Sequence, residues 1–269
     1  MRYETLNGLR IPKIGFGTWN IGGGSSADRS RDVRSLAALR SAIDLGYTHF
    51  DTAEMYAAGH TEELLGRAIR DSGVPRESLF ITSKVSPEHL RYDAALKSCE
   101  SSLRHLAMDY VDLYLIHWPS AGMQLPETFR ALNRLVADGK IRHLGVSNFD
   151  LSLLKAAREQ SESGILTDQV PYSLSDRSYV RNGVLEYCRQ NGILLTAYSP
   201  VDKGHLKPGK ALQLVAAARK LDPYQIALAW LTAQPSVIAI PMSEVPTHQQ
   251  QNLEAGDLEL TPNELSQLN

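Results

Sequence analysis

Short apolar runs alternate with amphipathic stretches along most of this chain. From residue 32 to 45, apolar positions such as Leu36, Leu39 and Ile43 recur at helical spacing, and Gly46 ends the pattern. A strand is predicted over residues 47–51, and the same alternation then repeats towards the carboxyl end. Strands that alternate with helices predict an α/β protein with a parallel sheet.

The individual elements can be assigned from this periodicity and from local start signals. Asn7-Gly8 between apolar residues predicts an opening β-hairpin. Helix starts with a cap and a first-turn proline are predicted at Asp222 and Thr261. The predicted strands are 14–17, 47–51, 79–84, 110–117, 141–147, 166–170, 193–197 and 237–240, and the predicted helices are 32–45, 61–71, 93–106, 127–138, 151–160, 184–191 and 211–233.

Eight strands alternating with helices, without a linker or a change of composition, predict a (β/α)8 TIM barrel that forms a single domain over residues 1–269. A doubly wound open sheet is the alternative. A dinucleotide-binding fingerprint would need a third glycine where Asn20 stands, so a Rossmann domain loses its main support.

Composition excludes several classes of function. The chain has 28 Lys+Arg against 30 Asp+Glu and no dense basic run, so we expect no nucleic-acid partner. Its apolar segments are too short for a membrane span and its first residues lack the apolar core of a signal peptide, so we expect no membrane association and a cytoplasmic location. Cys99 and Cys188 lie in separate helical patterns without metal-ligand spacing, which predicts reduced packing residues and no metal.

Four polar residues fall at the carboxyl ends of successive predicted strands, where barrel active sites are built. They are Asp51, Tyr56, Lys84 and His117. Each alone has an ordinary explanation as a cap, an exposed phenol, a solvated ammonium or a core imidazole. Together they predict acid–base chemistry, because a lysine ammonium beside a tyrosine stabilises the phenolate and lowers the tyrosine pKa.

Eight motifs in the chain resemble, in the same order, those of the aldo-keto reductase family. The resemblance is greatest to the short bacterial members, including those that act on methylglyoxal. The motifs are Gly15-Phe-Gly-Thr-Trp19, Asp51-Thr-Ala-Glu-Met-Tyr56, Ser83-Lys84, the segment 109–119, Gly145-Val-Ser-Asn-Phe149, Gln169-Val170, Ala197-Tyr-Ser-Pro200 and Ile240-Pro241.

The resemblance implies hydride transfer from a nicotinamide coenzyme to an aldehyde or ketone, in a barrel whose base the N-terminal hairpin closes. Tyr56 matches the proton donor, Lys84 and Asp51 match the pair that tunes it, and His117 matches the residue that orients the carbonyl. The matching coenzyme contacts are Ser147, Asn148 and Gln169 at the carboxamide, Tyr198 stacked on the nicotinamide, and Ser199, Pro200, Ile240, Met242, Ser243, His248, Gln251 and Asn252 along the remainder. Trp19 and Trp118 match walls of the substrate pocket, which they share with Tyr56 and His117.

The segment that in the family grips the coenzyme's 2′-phosphate departs from the usual pattern. Met242 stands where relatives carry lysine and His248 where they carry arginine, while Glu244 adds a negative charge. Losing fixed cations weakens phosphate recognition, which makes NADH the alternative coenzyme. The resemblance to the family keeps NADPH as the expected one. The groups that could compensate are Ser243, His248, Lys203 and Lys207.

The expected substrate is a small-molecule carbonyl. The segment Ser120–Leu125 is short where many relatives carry a long loop, and the chain stops soon after Glu264, so we expect an open site for small or varied carbonyls. We also expect a monomer. Two other functions stay open at this point. One is a coenzyme-binding barrel that regulates a protein partner with little turnover; the other is a phosphate-handling barrel isomerase, for which Lys203-Gly204 would be a weak anion loop.

Overall fold

The computed structural model describes residues 1–6 and 8–269. Within that part of the chain, an antiparallel hairpin precedes eight parallel strands that lie side by side in chain order. The hairpin is β1 (Tyr3–Leu6) and β2 (Leu9–Pro12), and the parallel strands are β3 (Phe16–Gly17), β4 (His49–Asp51), β5 (Phe80–Val85), β6 (Val111–Ile116), β7 (Ile141–Ser147), β8 (Thr167–Pro171), β9 (Leu194–Tyr198) and β10 (Val237–Ala239).

The first and last parallel strands meet, so the sheet is closed. Ile14 pairs in parallel with Ala239. The Gly15 amide donates to the Ala239 carbonyl at 2.8 Å, and the Gly17 amide donates to the Pro241 carbonyl at 3.1 Å. The predicted (β/α)8 barrel is therefore confirmed, and the open sheet is not formed.

Helices surround the barrel and connect its strands. They are α1 (Asp32–Asp44), α2 (His60–Ser72), α3 (Tyr92–Leu106), α4 (Leu125–Ala137), α5 (Leu151–Gln160), α6 (Ser178–Arg181), α7 (Val184–Gln190), α8 (Lys210–Arg219), α9 (Pro223–Ala233), α10 (Pro246–Ala255) and α11 (Pro262–Leu268). Of the helices in the described residues, none combines the length and apolar character that a membrane crossing needs.

The structure corrects the helix assignment in the last third of the chain. The predicted helix 211–233 is two helices, because Lys220 adopts a left-handed φ of 55° that ends α8. The predicted capping box at Asp222 then begins α9, and the one at Thr261 begins α11. Helices α6 and α10 were not predicted; α10 buries only Gln249 and Ala255 of its ten residues and so lacks an apolar stripe.

The hairpin closes the base of the barrel, as the sequence predicts. Ile11 on β2 packs with Phe80, Leu194 and Ile238, which lie at the amino ends of their strands. Leu6 and Leu9 pack against the same cluster. Asn7, half of the predicted turn, lies outside the described residues.

The larger apolar core lies between the barrel and its helices and contains both cysteines. Cys99 and Cys188 are free, and both are fully buried. Burial raises the pKa of the Cys99 thiol to about 12 and raises the pKa of the Cys188 thiol as well. Both residues therefore act as small apolar packing groups.

Candidate active site

A cavity of about 680 Å³ opens at the carboxyl ends of the strands, a volume typical of small-molecule sites. The sequence-predicted site residues all line this cavity, except Lys84, which lies buried beneath it. The lining residues among them are Trp19, Asp51, Tyr56, His117, Trp118, Ser147, Asn148, Gln169, Tyr198, Ser199, Pro200, Ile240, Met242, Ser243, His248, Gln251 and Asn252.

Strand ends place the four acid–base residues together. Asp51 is the last residue of β4, Lys84 lies near the end of β5, and His117 follows β6 directly. Tyr56 begins the short 3₁₀ turn Tyr56–Gly59, which follows β4. The parallel register of β4, β5 and β6 therefore brings residues distant in sequence to one floor of the cavity.

The Lys84 ammonium is the centre of this cluster. Its Nζ donates to Asp51 Oδ1 at 2.5 Å, to the Thr52 carbonyl at 2.7 Å and to the Tyr56 hydroxyl at 3.3 Å. An ammonium carries only donors, so the Tyr56 oxygen is the acceptor in this contact. The hydroxyl proton of Tyr56 consequently remains free to be donated into the cavity.

The protonation states suit a neutral phenol beside a charged lysine. Burial raises the pKa of Tyr56, and Lys84 opposes that effect without outweighing it. The lysine thus acts in the predicted direction, but the net lowering expected from the sequence is wrong because burial dominates. Burial alone would lower the pKa of Lys84, but its interactions with the Asp51 carboxylate and the Tyr56 oxygen outweigh burial and raise that pKa. At neutral pH the pair therefore consists of a phenol and an ammonium.

His117 completes the floor as a neutral imidazole. Burial, with a smaller effect from the Lys84 charge, lowers its pKa to about 3. Its ring meets that of Tyr56 edge-on with 5.6 Å between centroids. Trp19 also stands edge-on to Tyr56 at 5.0 Å. The Nδ1 atom of His117 is buried without a partner among the described residues, so a protein hydrogen bond does not fix the tautomer there.

Three amide and hydroxyl side chains adjoin this floor. Ser147 Oγ donates to the Gln169 carbonyl at 2.7 Å, and Asn148 Nδ2 donates to the Ser147 hydroxyl at 2.9 Å. Tyr198 donates its hydroxyl to Asn148 Oδ1 at 2.8 Å. Asn148 adopts a left-handed φ of 64°, which asparagine tolerates better than most residues. These hydrogen bonds fix the relative orientation of the three side chains.

Gln169 joins the amide group to the acid–base cluster. Its Nε2 donates to Asp51 Oδ2 at 2.7 Å. Both carboxylate oxygens of Asp51 are thus occupied, one by Lys84 and one by Gln169. The Oε1 of Gln169 has no donor among the described residues, which leaves an acceptor beside the floor.

Sequence reasoning missed Glu54, although it lies within a motif already recognised. Its Oε1 accepts from the Ser86 amide at 2.5 Å and its Oε2 accepts from the Ser98 hydroxyl at 2.5 Å. Burial alone would raise the pKa of Glu54, but these hydrogen bonds outweigh it and lower that pKa. Glu54 therefore fastens the loop that carries Tyr56 to the end of the strand that carries Lys84.

Further residues line the cavity besides the predicted catalytic, coenzyme and substrate contacts. Lys203 belongs to the loop after β9, whereas Lys207, the other lysine suggested there, is not part of the lining. The Tyr224 hydroxyl donates to the Gly204 carbonyl at 2.7 Å and ties that loop to α9. The remaining lining residues are Gly17, Thr18, Asn20, Met55, Val201, Asp222, Gln225 and Pro241.

The residues present fit a nicotinamide coenzyme. The free acceptor of Gln169 and the polar atoms of Ser147 and Asn148 lie beside the cluster that contains Tyr56, where a carboxamide needs both donors and acceptors. The Tyr198 ring lines the cavity next to them and is held by its hydrogen bond to Asn148.

Comparison with known proteins agrees with this geometry. Residues 13–269 match the model of the aldo/keto reductase family. Methylglyoxal reductase YeaE of Escherichia coli (strain K12) is 38% identical over 266 residues, which are 97% of this chain and 90% of that protein. Glyoxal reductase of Bacillus subtilis (strain 168) is 35% identical over 262 residues, with 97% and 89% covered.

Solved structures give the same result. A thermostable aldo-keto reductase in complex with the inhibitor epalrestat has a TM-score of 0.96 at 47% identity, covering 100% of this chain and 98% of that one. An aldo/keto reductase from Klebsiella pneumoniae in complex with NADP and acetate has a TM-score of 0.89 at 38% identity, covering 99% and 93%. The match extends over nearly the whole chain in sequence and in fold, and the chain therefore belongs to the aldo/keto reductase family.

Proposed function

We propose that this chain reduces small aldehydes and ketones, such as methylglyoxal and aromatic aldehydes, to alcohols with a nicotinamide coenzyme, and that Tyr56 is the proton donor. The observation that carries the proposal is the contact of the buried Lys84 ammonium with the Tyr56 hydroxyl at the cavity floor. Relatives that match almost the entire chain are a methylglyoxal reductase and a glyoxal reductase, which supports both the turnover and the substrate class.

The coenzyme, when bound, supplies the hydride that the carbonyl carbon receives. The residues of this chain supply the proton and the position. His117, neutral in the cavity, orients the carbonyl oxygen towards Tyr56. As negative charge develops on that oxygen, Tyr56 transfers its hydroxyl proton to it, and the phenolate that remains is stabilised by Lys84.

Asp51 holds the lysine in its charged form throughout this step. Its carboxylate is buried and pairs with Lys84 at 2.5 Å, while Gln169 occupies its other oxygen at 2.7 Å. Without that anion, burial would favour a neutral amine. A neutral amine would not stabilise the phenolate, so Asp51 contributes to proton transfer without touching substrate.

The mouth of the cavity supports a broad choice of small carbonyls. Trp19, Met55 and Trp118 line it while remaining 39%, 39% and 45% exposed. The connection from β6 to α4 contains only residues 117–124, too few to cover these side chains with a long loop. Aromatic and apolar walls with one polar floor favour a compact substrate that presents its carbonyl to Tyr56 and His117.

For the coenzyme, we propose NADPH ahead of NADH, and one chain as the working unit. Ser147, Asn148 and Gln169 would bind the carboxamide, Tyr198 would stack on the nicotinamide, and the residues from 240 to 252 that line the cavity would bind the adenosine end. A related structure from Klebsiella pneumoniae contains NADPH. These lining residues would bind the coenzyme without a contribution from a second chain.

The test measures coenzyme oxidation with methylglyoxal and with a nitrobenzaldehyde, running NADPH and NADH in parallel. Three proteins are compared: the wild type, Tyr56→Phe, and Tyr3→Phe. Tyr3 is an exposed phenol on the hairpin at the opposite end of the barrel and serves as the matched control.

We expect Tyr56→Phe to lower turnover by about 10² or more, because it removes the proton donor but keeps the ring. Coenzyme affinity should stay nearly unchanged in that variant, and Tyr3→Phe should retain full activity. Unchanged turnover in Tyr56→Phe would refute the role of Tyr56. Absence of turnover in the wild type with both coenzymes would refute the proposed reaction.

A further inference from the structure

An ion-pair cluster lies just outside the cavity lining, next to Ser243. Glu244 follows Ser243, which lines the cavity, and both of its carboxylate oxygens are paired with arginine. Arg31 Nη2 lies 3.1 Å from Oε1, and Arg34 Nε lies 2.7 Å from Oε2. We call Arg31, Arg34 and Glu244 the rim cluster.

The rim cluster carries a net positive charge and has guanidinium N–H donors that the ion pairs do not use. Two guanidinium groups share one carboxylate, so the sum is +1. Arg31 contacts Glu244 through its Nη2 atom, and Arg34 contacts Glu244 through its Nε atom. Each guanidinium therefore keeps further N–H donors that Glu244 does not use. Glu244 is 7% exposed, whereas Arg31 and Arg34 are 34% and 69% exposed. The acid is therefore covered while the two cations face outwards.

The fold brings this charge to the same rim as Ser243. Arg31 directly precedes α1 and Arg34 lies in its first turn, on the carboxyl side of β3. Glu244 lies two residues before α10. Helices α1 and α10 pack against each other. Among the described residues no side chain caps the first turn of α10.

We propose that Arg31 and Arg34, positioned by Glu244, recognise the 2′-phosphate of NADPH in this protein. The proposal rests on the proposed use of the coenzyme in this cavity. Met242 and His248 line the cavity near Ser243 and supply no fixed cation there. Guanidinium groups, by contrast, bind phosphate through paired charge-assisted hydrogen bonds. Glu244 then acts as a positioning residue, and its charge is cancelled by the cluster.

Calorimetric titration tests this without any turnover. The probes are adenosine 2′,5′-bisphosphate, which carries the 2′-phosphate, and adenosine 5′-monophosphate, which lacks it. The proteins are the wild type, the double variant Arg31→Gln/Arg34→Gln, and Arg40→Gln. Arg40 lies on the same helix and pairs with Asp71, so its substitution removes one charge from α1 but leaves the rim cluster intact.

We expect the double variant to lose at least about tenfold in affinity for the bisphosphate, because it removes charge-assisted hydrogen bonds to the 2′-phosphate. Its affinity for the monophosphate should change little, and Arg40→Gln should bind both probes as the wild type does. A further variant, Arg31→Lys/Arg34→Lys, keeps both positive charges and should retain part of the selectivity for the bisphosphate over the monophosphate. That result would show that the glutamine variant loses affinity because it loses charge.

Two results would overturn the proposal. Unchanged affinity of the double variant for the bisphosphate would show that the 2′-phosphate is held elsewhere. An equal loss for both probes in a variant with wild-type thermal stability would show a contact with the adenosine instead. Wild-type protein that binds neither probe would instead count against coenzyme binding in the cavity, which is the proposed function itself.

Discussion

Replacing Lys84 with methionine should both destabilise the protein and inactivate it. The ammonium is fully buried and has three acceptors, at 2.5, 2.7 and 3.3 Å. Methionine fills a similar volume but leaves the buried Asp51 carboxylate with Gln169 as its remaining partner. Breaking one side of a buried ion pair costs about 3–5 kcal/mol. In a protein of this size, that cost corresponds to a fall in melting temperature of about 6–20 °C.

The double variant Asp51→Asn/Lys84→Met separates the structural effect from the chemical one. It removes both charges, so no uncompensated carboxylate is left, and the amide oxygen introduced at position 51 would still accept the Gln169 hydrogen bond. We expect it to be more stable than Lys84→Met by about 1–3 kcal/mol, the size of a coupling between contacting residues. Carbonyl reduction should remain lost, because nothing then stabilises a Tyr56 phenolate.

The assay is chemical unfolding at pH 7 of the wild type, Lys84→Met, Asp51→Asn and the double variant, which form a double-mutant cycle. Coenzyme oxidation is measured in the same buffer. Additive stability losses, with no recovery in the double variant, would refute the description of Lys84 and Asp51 as a mutually dependent buried pair. Activity restored in the double variant would refute the tuning role of the ammonium.

Three further substitutions test other features. Met242→Lys should raise the affinity for NADPH relative to NADH by about tenfold, because it adds a charge-assisted contact with the phosphate. Coenzyme titration followed by fluorescence measures the ratio of the two affinities. An unchanged ratio would contradict this prediction. Asp168→Asn should stabilise the protein more at pH 8 than at pH 4. Burial raises the pKa of Asp168, so above about pH 4 unfolding releases its proton. The stability of the wild type therefore falls as pH rises, whereas an asparagine does not titrate. An equal gain at both pH values would refute the titration. Gly66→Ala should cost several kcal/mol in urea unfolding, since a Cβ would lie 2.2 Å from the Leu106 carbonyl, whereas Gly122→Ala meets nothing within 4 Å and should be neutral.

The barrel and the residues of its floor could be predicted because they depend on local periodicity. Asp51, Lys84 and His117 each end or follow an apolar run, and parallel strands necessarily bring such ends to one side. Likewise, the capping boxes at Asp222 and Thr261 are complete within four residues, and the structure confirms both.

What could not be predicted depends on contacts between distant segments. The pKa of Tyr56 is raised because burial outweighs the lysine, and the extent of that burial is a property of the assembled cavity. Arg31 and Glu244 meet across 213 positions of sequence, so nothing near either residue signals the pair. Helix α10 has almost no apolar stripe, and it was missed because its buried contact is made by the polar side chain of Gln249.

The burial of Cys99 and Cys188 affects how readily the proposed substrates could modify the protein covalently. Reactive carbonyls are electrophiles, and the thiolate form of cysteine is the nucleophile that attacks them. Both thiols are sealed within the core, and their raised pKa values keep them protonated at neutral pH. The folded protein consequently presents no thiol for its proposed substrates to modify, and it should tolerate concentrations of dicarbonyl that inactivate enzymes with an accessible thiolate.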